Sequence, residues 1–265
     1  MLLSIAIERK AAKAMFGKAN MKAKGVLTLF ILGLGVYRGN AQGGIHAFVN
    51  YTFWAGGNFQ SGDNLFCNPL LSANNSLNAI IPHASEGTIV FLWDSSPDAF
   101  TQSSTFVGGM WSLNLELPPG EGALLRTFTT FTNTFSGVVL APDGSILNPD
   151  APVPHPPQFD GPSGRYLLAD KFPATLPPFD YILGRGPKDG EQFTRLDPLT
   201  QTYHTTTFAS GAWNNGTPFL QIGEAAFFDI VPEPSSASLA LVCFLAGWFA
   251  ITPRSNHAPR CPESQ

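Results

Sequence analysis

Short runs of apolar and β-branched residues alternate with turn-forming residues along the middle of this chain. Residues 88–93 (TIVFLW) end at Asp-Ser-Ser-Pro, and residues 225–230 (AAFFDI) begin directly after a Gly-Glu turn. Turn signals recur about every ten residues, a spacing typical of sandwiches and barrels. Residues 70–81 have apolar positions that suit one or two helical turns, and no long amphipathic helix is predicted. The pattern therefore predicts an all-β fold.

Self-comparison reveals an internal repeat with a period of 102 or 103 residues. Phe106/Phe208 and Trp111/Trp213 stand 102 positions apart, and six other pairs stand 103 apart, so one residue is gained or lost between them. A period of this length is too long for a solenoid and indicates two tandem copies of a small β-sandwich or barrel-like module. The six pairs are Gly87/Gly190, Asp94/Asp197, Phe100/Tyr203, Gly120/Gly223, Glu121/Glu224 and Ala123/Ala226.

A proline-rich stretch separates the two copies. Residues 141–157 contain six prolines, which is typical of a linker. We therefore predict a first β module at 43–140, a linker at 141–158 and a second β module at 159–230.

The charge of the chain is distributed unevenly. Residues 1–42 carry seven Lys or Arg against one Glu, whereas residues 43–230 carry 16 acidic and 6 basic residues, a net charge of −10. An acidic body argues against nucleic-acid binding, which needs clustered cations. The composition, with 26 Gly, 23 Pro and only 13% charged residues, suits strands and turns better than surface helices.

The usual catalytic and metal-binding motifs are missing from the sequence. The five histidines (His46, His83, His155, His204 and His257) lie in no metal-ligand spacing, and no nucleophile elbow, phosphate loop or calcium loop occurs. Cys67 has no partner once the C-terminal Cys243 and Cys261 are set aside, so we interpret it as a small buried residue. No cofactor or metal is expected. Asp94 with Asp98 is a minor hydrolase alternative.

Two repeated residue types are candidates for a site. Trp111 and Trp213 each stand two residues after a glycine, Gly109 and Gly211. Exposed, they would stack on sugars, and buried, they would anchor the core. Glu121 and Glu224 lie in equivalent turns and are either acids or cation ligands, or turn carboxylates that accept backbone N–H groups. Their presence in both copies favours the structural interpretation.

The N-terminus has the three regions of a secretory signal peptide. A basic segment at Met21–Lys24 precedes an apolar stretch at 26–36 and small residues up to Ala41, after which we place cleavage. Residues 1–20 are either an over-extended start, with Met21 the true first residue, or an unusually long basic region.

The C-terminus pairs a proline motif with a short apolar run. Val231-Pro232-Glu233-Pro234 precedes residues 237–252, which carry no charge, and Arg254 follows. As a helix, these 16 residues would be about 24 Å long, somewhat short for a bilayer core of about 30 Å. The basic residue favours a cytoplasmic C-terminus. A buried core helix is the alternative.

Within this tail, residues 231–265, the stretch from about 231 to 254 resembles the PEP-CTERM sorting signal of Gram-negative bacteria. The resemblance rests on Val231, Pro232, Glu233, Pro234, the apolar run and Arg254. It implies recognition and cleavage by an exosortase-type membrane protease, a transient inner-membrane anchor, and delivery to the cell surface. The chain departs from the family pattern in its thin basic cluster and in the eleven residues that follow Arg254.

The body resembles exported proteins of Verrucomicrobia and Planctomycetes. The similar segments are residues 64–70 (NLFCNPL), 119–123 (PGEGA) and 223–228 (GEAAFF). This resemblance implies no particular activity. Together, these features suggest a non-catalytic secreted protein of the cell envelope or extracellular matrix, with exopolysaccharide binding through Trp111 and Trp213 as the alternative.

Overall fold

Antiparallel strands account for almost all regular structure in the computed structural model, which describes residues 44–57, 60–148, 156–170 and 179–231. The all-β prediction is confirmed. The predicted signal peptide, the centre of the linker, and Pro232, Glu233, Pro234, Arg254 and the apolar run 237–252 lie outside the described residues. Within the described ranges no helix has the length and apolar character needed to cross a membrane.

Twelve strands and two single-turn helices occur in the described part of the chain. The helices are α1 (Leu77–Ile80), inside the helical stretch that the sequence predicts, and α2 (Phe179–Leu183). The strands are β1 (His46–Phe53), β2 (Gly62–Cys67), β3 (Ile89–Asp94), β4 (Ala99–Val107), β5 (Met110–Trp111), β6 (Gly122–Thr127), β7 (Phe131–Val138), β8 (Gly164–Ala169), β9 (Gln192–Asp197), β10 (Thr202–Ala209), β11 (Ala212–Trp213) and β12 (Ala225–Ile230).

The strands form two five-stranded sheets and one two-stranded ribbon. The first sheet has the order β2-β6-β3-β4-β5, and the second has the order β8-β12-β9-β10-β11. The two orders are the same when the strands of each sheet are counted from its own first strand. The ribbon pairs β1 with β7 from His46↔Val138 to Phe53↔Phe131.

Residues paired by the sequence repeat have closely similar surroundings in the two sheets. The amide of Gly87 donates to the carbonyl of Phe106 at 2.9 Å, and the amide of Gly190 donates to the carbonyl of Phe208 at 2.8 Å. The ring of Phe106 packs against Trp111 with centroids 5.4 Å apart, and the Phe208–Trp213 pair has the same separation.

A β-bulge accounts for part of the irregular spacing of the repeat. Leu92 pairs with Gln102, but the next residue, Trp93, pairs with Phe100, which leaves Thr101 unmatched in β4. The pairing of β9 with β10 has no such shift. A bulge adds one residue to one strand of a pair. The first sheet therefore needs one residue more than the second between its β3–β4 turn and Phe106.

Three apolar clusters fill the described body. The first lies between the first sheet, the β1–β7 ribbon and α1, and includes Phe53, Phe66 and Leu125. The second lies between the two sheets, and the third packs the outer face of the second sheet against α2. The sequence predicts a sandwich-like module in each half. In the structure each sheet covers an apolar cluster of its own, and the two sheets also share one apolar layer between them.

Small residues let the two sheets approach closely. The amide of Cys67 in β2 donates to the carbonyl of Gly223 at 2.9 Å, which links the two halves through their backbones. Isolated bridges join Phe66 to Glu224 and Glu121 to Leu168. At Gly122, a Cβ atom would lie 2.5 Å from Cγ of Leu167 and 2.9 Å from its carbonyl oxygen. The contact therefore requires glycine at this position.

Gly122→Ala should destabilise the protein by overpacking the layer between the sheets. We expect a loss of about 1–3 kcal/mol in the free energy of unfolding, measured by urea denaturation of the purified protein. Gly57→Ala is the matched control, because no atom lies within 4 Å of the added methyl group. Equal stability of the two variants would contradict the close approach of the sheets at Gly122.

Candidate functional site

The two repeated tryptophans lie in the core. Trp111 is 3% exposed and donates from Nε1 to the carbonyl of Ile81 at 2.9 Å; Trp213 is 7% exposed and donates from Nε1 to Oδ1 of Asp180 at 3.0 Å. Each indole also packs edge-on against a phenylalanine. Buried rings offer no face to a sugar. In this structure Trp111 and Trp213 both lie in the core, as their interpretation as core anchors expects, and glycan binding through them stays an untested hypothesis.

Glu121 and Glu224 differ in environment although they lie in equivalent turns. Glu224 is 6% exposed; its Oε2 accepts the amide of Gln221 at 2.9 Å, and its Oε1 accepts from Nε of Arg195. Burial raises the pKa of Glu224, and the Arg195 guanidinium opposes that shift. Glu121 is exposed, although partial burial raises its pKa too. Glu224 thus acts as the turn carboxylate that the sequence suggests.

The other sequence candidates are spread over the body. Asp94, at the end of β3, and Asp98, in the β3–β4 turn, are both exposed, and Asp94 accepts the amide of Ser96. Cys67 is fully buried, as expected, and burial raises the pKa of its thiol, which keeps it unreactive. In the ranges that the structure describes, no three His, Cys, Asp or Glu side chains are grouped so that they could hold a metal ion.

Many charged side chains of the described body are bound to each other in arginine–carboxylate ion pairs. Arg126 binds Asp63 through two hydrogen bonds of 2.7 and 2.9 Å, and Arg165 binds Asp229 through two of 2.7 and 3.2 Å. A third pair, Arg185 with Glu191, is buried; the arginine also donates to the carbonyls of Phe159 and Gly186. These contacts give the side chains structural roles.

A cleft of about 390 Å³ opens beside the shared apolar layer. Its floor comes from the face of the second sheet that lies towards the first: Gln192 and Thr194 in β9, and Tyr203 and Thr205 in β10. These positions alternate along each strand, so they share one face of the sheet. Its walls are formed by three aromatic residues and one arginine: Trp93, Phe100, Phe227 and Arg165.

The aromatic wall is fixed by ring packing. The ring of Trp93 lies 5.0 Å from Phe100 and 5.0 Å from Phe227, both edge-on, and its Nε1 donates to the carbonyl of Arg165 at 3.2 Å. The bulge at Thr101 sets Phe100 directly opposite Trp93, on the same face of the sheet. The Arg165 guanidinium lies 5.6 Å from the centre of the Phe227 ring.

The sequence signalled this cleft only indirectly. The repeat pairs Phe100 with Tyr203, and the structure places both side chains in the same cleft. The wall residue Trp93 and the floor residue Gln192 come from different halves of the chain, and their proximity depends on the packing of the sheets.

No protein-family model, curated protein or solved structure matches this chain.

Truncation of either core tryptophan should strongly reduce stability. We expect Trp111→Ala and Trp213→Ala each to lower the free energy of unfolding by about 3–5 kcal/mol, because each leaves a cavity and an unpaired polar group. Trp54→Ala is the control, because Trp54 is 38% exposed. Urea denaturation measures the three variants, and a cost for Trp54→Ala as large as for the other two would contradict the assignment.

The buried carboxyl of Glu224 should make stability depend on pH. Because its folded pKa lies above the ordinary 4.5, the folded state binds more protons than the unfolded state between these two values. The free energy of unfolding therefore falls as the pH rises through that window. Glu224→Gln keeps an acceptor oxygen but removes the titration, so urea denaturation across the window should show a flatter dependence. Glu116→Gln is the control for removing a carboxylate at an exposed site; equal slopes in both variants would refute the role of Glu224.

Proposed function

We propose that this chain is a non-catalytic exported protein of the cell envelope or extracellular matrix, sorted to the surface through its C-terminal Pro-Glu-Pro segment. One observation carries the proposal. Strand β12 ends at Ile230, and Val231, the first residue of the sorting motif, follows it directly. A protease acting at Pro232–Pro234 would therefore cut next to β12 and leave all twelve described strands in the released body.

The body consists of two tandem copies of one β module, and three features support this. The two five-stranded sheets have the same strand order. The glycines at repeat positions share positive φ angles, 79° at Gly120 and 81° at Gly223. The third feature is that the bridges Phe66↔Glu224 and Glu121↔Leu168 join equivalent positions in opposite directions. Such reciprocal contacts are typical of a two-fold relation between copies.

The polar groups of the body suit a structural role. The four arginines of the described residues, Arg126, Arg165, Arg185 and Arg195, each bind a carboxylate. Fixed charge pairs of this kind orient loops and strand ends. The expected partners are an exosortase-type protease and the inner membrane, followed by the polysaccharide matrix outside the cell. The acidic body makes nucleic acid an unsuitable partner.

The double variant Pro232→Ala/Pro234→Ala should block sorting. We expect the protein to remain in the inner-membrane fraction, because the protease would no longer find its motif, whereas the wild type reaches the cell surface or the medium. Fractionation with immunodetection of the body measures the distribution. Pro97→Ala, in the exposed β3–β4 turn, is the control for losing a proline. Wild-type distribution of the double variant would contradict the proposal.

A further inference from the structure

The cleft beside the shared layer combines an aromatic wall with a polar floor. On the floor, Tyr203 is 49% exposed and Gln192 is exposed as well. Neither the side-chain amide of Gln192 nor the hydroxyl of Tyr203 makes a hydrogen bond to another described residue. The hydroxyls of Thr194 and Thr205 share one hydrogen bond of 3.0 Å. The floor thus presents free donors and acceptors beside aromatic rings.

The charge of the cleft is largely neutralised. Arg165, the one charged residue in its lining, binds both carboxylate oxygens of Asp229 through Nε and Nη2. Its Nη1 makes no hydrogen bond to a described residue. An anionic ligand would have to compete with Asp229 and would meet an acidic body. A neutral ligand can accept one hydrogen bond from Nη1 without disturbing the pair.

The lining also disfavours a purely apolar ligand. Such a ligand would cover the Gln192 amide and the Tyr203 hydroxyl without offering partners, and a buried unsatisfied polar group costs about 1–3 kcal/mol. A pyranose ring has both properties that the cleft requires, because its C–H face packs on aromatic rings while its hydroxyl groups exchange hydrogen bonds with amides and hydroxyls. The volume of about 390 Å³ is within the range of small-molecule sites, roughly 300–1,000 Å³.

We infer that this cleft is a binding site for a neutral saccharide unit, with Trp93 and Tyr203 as its aromatic contacts and Gln192, Thr205 and Arg165 Nη1 as its polar contacts. The Trp93 indole is held in place by Phe100, Phe227 and the Arg165 carbonyl, so it loses little freedom on binding. This site is distinct from the buried Trp111 and Trp213, and it does not depend on the export proposal.

The repeat offers an internal comparison for the site. The position equivalent to Trp93 in the second sheet is Leu196, which is 3% exposed and belongs to the shared layer. On the first sheet, the position equivalent to Arg165 is Asp63, whose backbone amide and carbonyl are both bound by the Gln201 side chain. The two-fold counterpart of the cleft therefore has an aliphatic residue where the cleft has an indole, and an aspartate with its backbone bound by a glutamine where the cleft has an arginine.

Titration calorimetry of the purified protein with neutral hexa-oligosaccharides (cellohexaose, laminarihexaose and maltohexaose) tests the site. We expect at least one of them to bind, and Tyr203→Ala and Gln192→Ala each to weaken that binding by about tenfold, a change of about 1.4 kcal/mol. Tyr203→Phe keeps the ring and should lose less. Both substituted side chains are substantially exposed, so the fold should persist, which circular dichroism and thermal unfolding verify.

Trp54→Ala provides the matched control, because it removes an exposed indole outside the cleft and should leave the affinity unchanged. The absence of binding by all three sugars would overturn the inference. Binding that survives Tyr203→Ala and Gln192→Ala in folded protein, or that is lost in Trp54→Ala, would also overturn it. None of these results depends on the location of the protein in the cell, so failure here is distinguishable from failure of the sorting proposal.

Discussion

The apolar layer between the two five-stranded sheets is the contact on which the described body depends. Leu65, Cys67 and Leu124 from the first sheet meet Leu167, Ala169 and Phe227 from the second. Without this layer each sheet would expose one apolar face to water, at a cost of roughly 25 cal/mol for each Å². Close contact is possible because Gly122 has no side chain where it meets Leu167 and the small Ala225 of the second sheet. The cleft lies where this layer ends.

Charge pairs border the shared layer, and their signs are exchanged between the halves. In the first sheet Asp63 on β2 binds Arg126 on β6; in the second, Arg165 on β8 binds Asp229 on β12. The two ion pairs occupy equivalent positions in the two sheets, but the acidic and basic residues are exchanged. Each arginine also lies over a phenylalanine ring, Arg126 over Phe91 and Arg165 over Phe227. The cross-strand attraction is kept although the residues differ, because it depends on opposite charges and not on which strand carries them.

Much of the strand pattern could be predicted from the sequence, whereas the packing of the strands could not. Alternation and turn residues predict strands near β3 and β12, because these signals are local. The β1–β7 ribbon and the sharing of one layer by both halves depend on contacts between residues far apart in the chain, which periodicity does not encode. For the same reason the repeat drew attention to Trp111 and Trp213, which proved to be core residues, while Trp93 and Gln192 were brought together only by the packing of the sheets.

The β1–β7 ribbon has a consequence for the order of folding. Its paired residues are separated by 78 positions at Phe53↔Phe131 and by 92 at His46↔Val138. During synthesis β1 emerges early and stays without its partner until every strand of the first sheet has been made. Such distant pairings form slowly, because the entropy of closing the chain is lost before the contacts compensate for it. Closure of the ribbon over the first apolar cluster is therefore a late event, and the nascent chain carries an open β1 edge until it occurs.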